Sequence, residues 1–205
     1  MILTNPVTTR PNIIKIAPVN PSHEAIEKAA SVIKAGGTIA YPTRCLYGLG
    51  ADAFNGAAVE GLFSIKRRSA QKAILILIDH PKQLKRLVSH VPGIAGNIMR
   101  QFWPGQVTLV FEAGPDVPPG LTGGSGKIGI RLPGHPVASA LVEAVAGPIT
   151  GTSANLSGRS MIRSATKLRK TFGRAIDYYL PGELGGNLKP SEIRSAVSGE
   201  VLRAQ

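Results

Sequence analysis

The chain has 205 residues, the length of one packed domain, and no apolar run approaches the roughly 20 residues that a membrane span requires. Its single cysteine, Cys45, excludes an internal disulfide and favours a reducing, cytoplasmic setting. The 24 Lys and Arg residues outnumber the 12 Asp and Glu residues, and the net charge of +12 attracts polyanions such as nucleotides or RNA. A basic surface that only keeps the protein soluble explains this charge equally well. The first residues also lack the basic start and long apolar stretch of a signal peptide.

Apolar periodicity predicts the elements of the first part of the chain. Apolar residues at helical spacing follow Ser22, an N-cap residue type, and the helix stops at the glycine pair 36–37. A short strand is predicted over 38–41 and a second helix over 57–65. The continuous apolar run 74–78 predicts a strand that is buried on both faces.

Helices and strands keep alternating through the rest of the chain. Helices are predicted over 81–88, 92–102, 136–146 and 164–172. Strands are predicted over 107–111, 128–132, 148–151, 176–180 and 201–203, with a glycine-rich loop over 120–126. This order predicts an α/β fold with a twisted, open, mixed β-sheet flanked by helices. Residues 1–12 are expected to form a flexible tail and residues 13–205 a single domain.

Four polar segments carry the candidate chemistry, and the first is YPTRCLYGLG at 41–50. The predicted strand ends at Pro42, so Thr43 lies where the chain turns, and strand ends in open sheets are where ligands bind. Gly48 and Gly50 permit a close approach of the backbone. An ordinary strand exit with glycines for geometry explains the same pattern.

The second segment is the basic run KRRSAQK at 66–72, directly before the buried strand predicted at 74–78. Cations at a helix C-terminus are favoured by the helix dipole, which explains Lys66 and Arg67. The positive charge continues up to the edge of the core strand, which the dipole does not explain. This favours a clamp for phosphates, with arginine binding as a fork and lysine as a point charge.

The third and fourth segments follow one another along the chain. GTSANLSG at 151–158 places short hydroxyl and amide groups directly after a strand, which suits oxyanions and sugar hydroxyls but also an ordinary turn. The stretch 159–174 is basic and contains no acidic residue. An RNA-facing surface therefore competes with a solvated helix face as its explanation.

The sequence lacks the patterns of several other kinds of site. The four histidines are scattered, and none has an acidic or cysteine partner at metal-ligand spacing. His135 follows a Pro-Gly pair and is expected to be a loop or cap residue. Cys45 has no assignable partner histidine and is expected to pack as a small thiol. The chain contains neither the P-loop motif nor the nucleophile elbow of the α/β-hydrolases.

Taken together, these segments resemble the YrdC-like domain family, the threonylcarbamoyl-adenylate synthases. The matching pieces run from Ile13 to the C-terminus in the family's order. They are GGTIAYPTRCLYGLGADAF, the Lys66-x-Arg68 pair with Lys72, WPGQVTLVF, IGIRLPGHP, TSANLSG and PGELGGNLKPSEIRSAVSGEVLR. The last piece is most similar to the short bacterial single-domain members. Several motifs in one order are more specific than any one of them.

The resemblance implies an α/β nucleotidyltransferase that makes threonylcarbamoyl-adenylate and pyrophosphate from L-threonine, bicarbonate and ATP, with Mg²⁺ accompanying ATP. Other proteins would then transfer the threonylcarbamoyl group to an adenosine of tRNA. The resemblance implies that Lys66 and Arg68 are catalytic and that Thr43 and Arg131 receive L-threonine. The implied ATP-binding residues are Lys66, Arg68, Ser153, Asn155, Ser191 and Arg203.

Three positions depart from the family pattern. Arg44 stands where an acidic residue is common, and Ser69 and Ala73 replace prolines. None of these changes removes an implied ligand, although Arg44 alters the local charge. Two other interpretations stay open: a non-catalytic module on the same fold that binds RNA in ribosome or tRNA maturation, and a carbamoyl-transfer enzyme of metallocentre maturation. The basic stretch favours the first, and the intact Lys66 and Arg68 oppose it. The second needs extra zinc-binding domains, for which this sequence has neither length nor cysteines.

Overall fold

The structure, a computed structural model, describes residues 21–186 and 189–204. The predicted flexible tail, residues 1–12, lies outside the described residues, so the division of the chain into a tail and one domain stays a prediction. Within the described ranges, no helix combines the length and the apolar character that crossing a bilayer demands.

Nine strands of the described chain form one sheet. Their bounds are β1 Ile39–Pro42, β2 Tyr47–Gly50, β3 Leu75–Leu77, β4 Val107–Glu112, β5 Lys127–Arg131, β6 Ile149–Ser153, β7 Tyr178–Tyr179, β8 Glu192–Ser195 and β9 Val201–Arg203. Their order across the sheet is β7-β1-β2-β6-β3-β5-β4-β8-β9. The pairs β1–β7, β3–β5 and β4–β8 are parallel and the others antiparallel. The predicted mixed, open sheet is therefore confirmed, with β7 and β9 as its edges.

Helices flank this sheet, and all but one of them lie where the sequence predicted a helix. Their bounds are α1 His23–Lys34, α2 Gly56–Lys66, α3 Leu84–Leu87, α4 Gly93–Phe102, α5 Pro119–Thr122, α6 Pro136–Val145 and α7 Ala165–Phe172. Short 3-10 helices at Pro81–Gln83 and Gly173–Ala175 precede α3 and follow α7. The helix predicted over 81–88 is thus a 3-10 turn that continues as α3.

The start of α1 shows how the local sequence specifies an element. The Ser22 side chain accepts a hydrogen bond from the Ala25 amide at 3.2 Å, and so satisfies one of the amides left free at a helix start. The apolar residues at helical spacing are buried, as predicted: Ile26, Ala29, Ala30 and Ile33. One face of α1 therefore covers the sheet while its charged face meets solvent.

Two hydrophobic clusters lie on opposite faces of the sheet. On the α1–α6 face, side chains of these two helices such as Ile33 and Leu141 pack against Leu77 of β3. On the opposite face, side chains of α2, α4 and α7, Leu62 among them, pack against Ile76 of the same strand. Because side chains alternate along a strand, the neighbours Ile76 and Leu77 belong to different clusters. The sheet is the middle one of three layers.

The sequence did not predict β2 or β8, and two other predictions were wrong in extent. β2 lies inside the segment 41–50, where Gly48 and Gly50 suggested a loop. β8 has a half-buried polar sequence without alternation. The glycine-rich segment 120–126 begins inside α5, and the strand predicted over 176–180 is reduced to the two residues of β7.

Candidate active site

A cleft of about 290 Å³ lies on the α1–α6 face of the sheet. Leu77, a residue of the cluster on this face, pairs in register with Arg131, which places the Arg131 side chain on the same face. Strands as far apart as β1 and β9 contribute to the lining, so the sheet curves around the cleft. The lining residues that the argument uses are Tyr41, Thr43, Arg68, Arg131, Ser153 and Ser191.

Two arginines of the cleft meet at Ser191. Arg131 donates from Nη1 to the Ser191 hydroxyl, and Arg203 donates from Nη2 to the Ser191 carbonyl at 2.8 Å. No carboxylate of the described residues forms an ion pair with either arginine. Burial lowers the pKa of Arg131; Tyr41 and Cys45 oppose this shift, and the charge of Arg203 adds to it. Two guanidinium groups without counter-charge make this part of the cleft suited to an anion.

The end of α2 directs two cations to different places. Lys66 is the last helical residue and is buried, whereas Arg67 takes the left-handed conformation with φ of 50°. This conformation ends the helix, and the Arg68 amide donates to the Phe63 carbonyl at 2.9 Å. The Arg68 side chain then lines the cleft, where its Nη2 donates to the Ala73 carbonyl at 2.7 Å. Lys-x-Arg spacing therefore places a lysine inside the fold and an arginine in the cleft.

The Lys66 ammonium holds the loop that follows β6. It donates to the Ser153 carbonyl and to the Asn155 carbonyl, the latter at 2.9 Å. The Lys66 carbonyl in turn accepts from the Ser157 amide at 2.9 Å. Burial lowers the pKa of Lys66 to about 8, and the charge of Arg68 adds to the shift. Lys66 thus bonds the backbone behind the cleft and does not belong to its lining.

Ser153 and Asn155 are joined within this loop. The Ser153 hydroxyl donates to the Asn155 side-chain oxygen at 2.6 Å. The Asn155 side-chain nitrogen donates to the carbonyls of Leu156 at 3.0 Å and Arg159 at 2.6 Å. Ser153 lines the cleft, whereas Asn155 stands behind it. The loop therefore presents the Ser153 hydroxyl in an orientation that Asn155 fixes.

The β1–β2 hairpin forms another wall of the cleft. The amide and the hydroxyl of Thr43 both donate to the Leu46 carbonyl, at 3.0 and 2.6 Å. Tyr41 pairs with Gly48, and a Cβ on Gly48 would lie 2.8 Å from Tyr41 Cζ. The Tyr41 ring thus occupies the space that a side chain at position 48 would fill. Burial raises the pKa of Tyr41 to about 12, with Arg131 opposing the shift, so the phenol is neutral.

Most of the site residues predicted from the sequence come together in this cleft. Six of the eight line it, and they are Thr43, Arg68, Arg131, Ser153, Ser191 and Arg203. Lys66 and Asn155 lie behind it, in the loop contacts described above. Cys45, expected to be a packed thiol, is 8% exposed and also contributes to the lining. Sequence reasoning missed Tyr41 and Met161; strand alternation pointed to the first, and no pattern points to the second.

The comparison with known families decides the assignment of this fold and cleft. The model of the Sua5/YciO/YrdC family, described as telomere recombination, matches residues 31–204. The chain belongs to this family. The resemblance predicted from the ordered motifs is therefore confirmed. Among curated proteins, the threonylcarbamoyl-AMP synthase of Coxiella burnetii is 39% identical over 180 residues, which are 88% of this chain and 97% of that protein.

Solved structures agree with the family assignment. A doubly substituted Sua5 of P. abyssi matches with a TM-score of 0.80 and 33% identity, over 87% of this chain and 55% of that one. P. abyssi Sua5 complexed with L-threonine matches with a TM-score of 0.78 and 35% identity, over 83% of this chain and 50% of that one. The chain thus spans about half the length of these two Sua5 chains.

The departures from the family pattern leave the cleft contacts in place. Arg44 is exposed in the turn between β1 and β2. The Ser69 hydroxyl accepts from the Gln71 amide at 3.2 Å. At Ala73, the contact with Arg68 is made by the backbone carbonyl, which any residue at this position supplies.

Proposed function

We propose that this chain is a threonylcarbamoyl-AMP synthase, which forms threonylcarbamoyl-AMP and pyrophosphate from L-threonine, bicarbonate and ATP. Curated relatives named for this product, such as the Coxiella burnetii protein at 39% identity, support a transferase. The observation that carries the proposal is the cleft in which Arg68, Arg131 and Arg203 share the lining with the hydroxyls of Thr43 and Ser153. Cations and short donors in one cleft suit a nucleoside triphosphate and an amino acid.

The proposed reaction has two bond-forming steps. The threonine amine attacks the carbon of bicarbonate and water leaves, which gives a carbamate. A carbamate oxygen then attacks the α-phosphorus of ATP and pyrophosphate leaves, so the second step is a nucleotidyl transfer. Such a displacement depends on positioning and on neutralisation of negative charge. A cleft with three guanidinium groups meets this demand.

The arginines divide between the two substrates in this proposal. Arg68 and Arg203 bind the triphosphate and neutralise the charge that grows on the leaving pyrophosphate. Arg131 receives the threonine carboxylate, beside Thr43 at the turn of the hairpin. The short bridge from Arg131 through Ser191 to Arg203 keeps the two anionic groups close together.

The loop after β6 contacts the nucleotide near its α-phosphate. Ser153 supplies a hydroxyl, and Asn155 and Lys66 fix the loop from behind. Ser191 lines the cleft just before β8, and in this proposal it contacts the nucleotide. Lys66 also contributes positive charge beneath the loop, so it acts in catalysis without leaving its backbone partners.

Mg²⁺ accompanies ATP in this proposal. Among the described residues, no group of three or more His, Cys, Asp or Glu side chains is placed to hold a metal ion, and no carboxylate belongs to the cleft lining. The described residues therefore do not form a metal site of their own, and in this proposal phosphate oxygens and water bind the ion.

The remaining partners belong to the same proposal. The product would be consumed by the machinery that transfers the threonylcarbamoyl group to tRNA, and the cytoplasm is the location that we propose for both. Helix α7 offers a surface for tRNA or double-stranded RNA, because Lys167, Arg169 and Lys170 are exposed on it. The segment 159–174 contains no acidic residue to compensate them.

Pyrophosphate release by the purified protein tests the function. The assay supplies ATP and Mg²⁺ and omits bicarbonate or the amino acid in turn. We expect release that requires both L-threonine and bicarbonate. Release that is independent of bicarbonate, or none from folded protein, would overturn the proposal.

A further inference from the structure

Three buried polar side-chain atoms in the part of the chain that the structure describes lack a hydrogen-bond partner. They are Thr108 Oγ1, Arg131 Nε and His135 Nδ1. Such atoms are rare in proteins, and each of them calls for an explanation. His135 lies at the N-cap of α6, whereas Thr108 and Arg131 belong to β4 and β5, which are neighbours in the sheet. One explanation can therefore account for both strand atoms.

The register of the two strands brings Thr108 and Arg131 together. β4 and β5 are antiparallel and Leu109 pairs with Ile130, so one further step places Thr108 opposite Arg131. Leu109 belongs to the cluster on the face away from the cleft, and alternation therefore turns Thr108 to the cleft face, where Arg131 lies. Opposite residues on one face have Cβ atoms about 4.5–5.5 Å apart. The two side chains are thus within reach of a common partner.

The Thr108 methyl faces Gly129, which leaves the hydroxyl for another neighbour. Gly129 lies two residues before Arg131 and so on the same face of β5. A Cβ on Gly129 would lie 3.3 Å from Thr108 Cγ2, whereas Thr108 Oγ1 is farther away. The methyl and hydroxyl of a threonine occupy different staggered positions, about 120° apart. The hydroxyl is therefore turned away from Gly129, and the next side chain of β5 on this face is Arg131.

The Arg131 guanidinium has a partner at one end. Its Nη1 donates to the Ser191 hydroxyl, and no carboxylate of the described residues forms an ion pair with it. Nε–H, on the strand side of the planar group, can only donate and lacks an acceptor. A planar group held by one bond can turn about it, whereas a second bond at Nε fixes its plane. A partner for Nε therefore also sets the direction in which Arg131 presents its other donors to the cleft.

We propose that one bound water joins Arg131 Nε to the Thr108 hydroxyl, and that Thr108 is thereby a positioning residue for Arg131. The two groups do not bond each other directly. A water that accepts from Nε–H and donates to Oγ1 satisfies both, and such bridges are enthalpically nearly as good as direct bonds. Thr108 is not part of the cleft lining, so it acts through Arg131 and not on a substrate. The inference rests on the proposed function, in which Arg131 receives the threonine carboxylate.

Thr108→Val and Thr108→Ser test the positioning role. Valine keeps the shape of the side chain and removes the hydroxyl, whereas serine keeps the hydroxyl. We expect Thr108→Val to raise KM for L-threonine roughly tenfold while kcat and the ATP KM change less than about twofold, because Arg131 loses its fixed direction but stays charged. Thr108→Ser should keep KM for L-threonine within about twofold of the wild-type value. The inference is wrong if folded Thr108→Val keeps the wild-type KM for L-threonine.

Thr150→Val is a matched control for the loss of a buried hydroxyl. Thr150 is fully buried in β6 and outside the cleft lining, and its hydroxyl accepts from the Ala51 amide at 2.9 Å. The variant should lower the urea midpoint of unfolding and leave KM for L-threonine unchanged. The same increase of KM in both valine variants would indicate a general loss of stability and overturn the inference.

A crystal structure of the wild-type protein tests the water without any substitution. High-resolution density should show one water within about 2.7–3.2 Å of both Arg131 Nε and Thr108 Oγ1. A direct bond between the two groups, or density without a water between them, would overturn the bridge. This measurement decides the question even if Thr108→Val fails to fold.

Calorimetric binding of L-threonine without ATP separates a failure of this inference from a failure of the proposed function. A Kd that is raised roughly tenfold in Thr108→Val supports the inference even if the wild type releases no pyrophosphate. Equal Kd values in the two proteins overturn the positioning role alone. A wild-type protein that does not bind L-threonine overturns both proposals.

Discussion

Lys66 donates a hydrogen bond from its buried ammonium to the Asn155 carbonyl at 2.9 Å, and so ties the end of α2 to the loop after β6. The same ammonium bonds the Ser153 carbonyl. The sequence predicted Lys66 as a phosphate ligand. In the structure its ammonium instead bonds the backbone of the loop that carries Ser153. The loop after β6 and the Lys-x-Arg turn are thus joined directly, although Lys66 and Ser153 are 87 positions apart in the sequence.

Lys66→Met tests this tie. The variant leaves two carbonyls without their donor, which costs about 1–3 kcal/mol for each buried group left unsatisfied. We expect a lower free energy of unfolding in urea and an ATP KM raised by roughly tenfold or more. Lys66→Arg, which keeps the charge, is the control and should lose less on both measures. Unchanged ATP KM in folded Lys66→Met would show that the loop does not need the ammonium.

The lowered pKa of Lys66 predicts how activity depends on pH. Because the pKa is about 8, Lys66 is half deprotonated near that pH and loses the rest of its positive charge as the pH rises further. ATP should therefore bind more weakly between pH 8 and 9.5, beyond the effect of substrate titration. Lys66→Arg, whose guanidinium stays charged, should lack this additional loss when ATP KM is measured under identical conditions. Parallel profiles for the two proteins would assign the pH dependence to the substrates.

The lowered pKa also predicts a change in stability. The folded state binds Lys66's proton less tightly than the unfolded state, whose value is near 10.5. Between about pH 8 and 10.5 the unfolded state therefore binds more protons, and the contribution of Lys66 to the free energy of unfolding rises with pH. Urea unfolding of the wild type and Lys66→Met at pH 7.5 and 9.5 measures this term as a difference. The buried, destabilised charge would be contradicted if the free energy of unfolding of the wild type, relative to Lys66→Met, stayed constant or fell from pH 7.5 to pH 9.5.

Arg68 and Arg67 allow a comparison of two neighbouring cations. Arg68 lines the cleft, whereas the exposed Arg67 does not. Arg68→Ala should lower kcat/KM for ATP by roughly a hundredfold or more while the thermal midpoint changes little, since an exposed or half-buried cation contributes little stability. Arg67→Ala removes the same charge and should retain most of the activity. Equal losses in both variants would indicate a general effect of charge.

Gly48 and Gly61 provide a matched pair of glycine substitutions. A Cβ at Gly48 would lie 2.8 Å from Tyr41 Cζ, whereas nothing lies within 4 Å of a Cβ at Gly61 in α2. Gly48→Ala should destabilise the fold by about 1–3 kcal/mol and displace Tyr41 from the cleft. Gly61→Ala should stabilise it by about 0.5–1 kcal/mol. Chemical unfolding and pyrophosphate release measure both effects, and a fully active, stable Gly48→Ala would contradict the placement of Tyr41.

Helix α1 and the cleft show what the sequence could and could not reveal. The Ser22 cap and the helical spacing after it predicted α1, because both signals are local. β2 escaped prediction because Gly48 and Gly50 suggest a turn, whereas in the sheet Gly48 makes room for a ring on the neighbouring strand. Such a reason exists only once β1 and β2 are paired.

The site was predicted through motifs, and its internal contacts were not. The resemblance named Lys66 but not its partners. Its ammonium bonds main-chain carbonyls, which every residue type has, so the sequence does not show which residues accept these bonds. His135 was expected to be a cap or loop residue, and it does lie at the N-cap of α6. Its buried Nδ1 has no hydrogen-bond partner among the described residues, which depends on packing between segments distant in the chain, so no local pattern reports it.

The measurement that tests the central claim most directly is the mass of the product formed from ATP, L-threonine and ¹³C-bicarbonate. Threonylcarbamoyl-AMP made by this chain should contain one ¹³C atom, form together with pyrophosphate, and disappear in Arg68→Ala but persist in Arg67→Ala. Pyrophosphate without a labelled adenylate, or AMP alone from folded wild-type protein, would contradict the account.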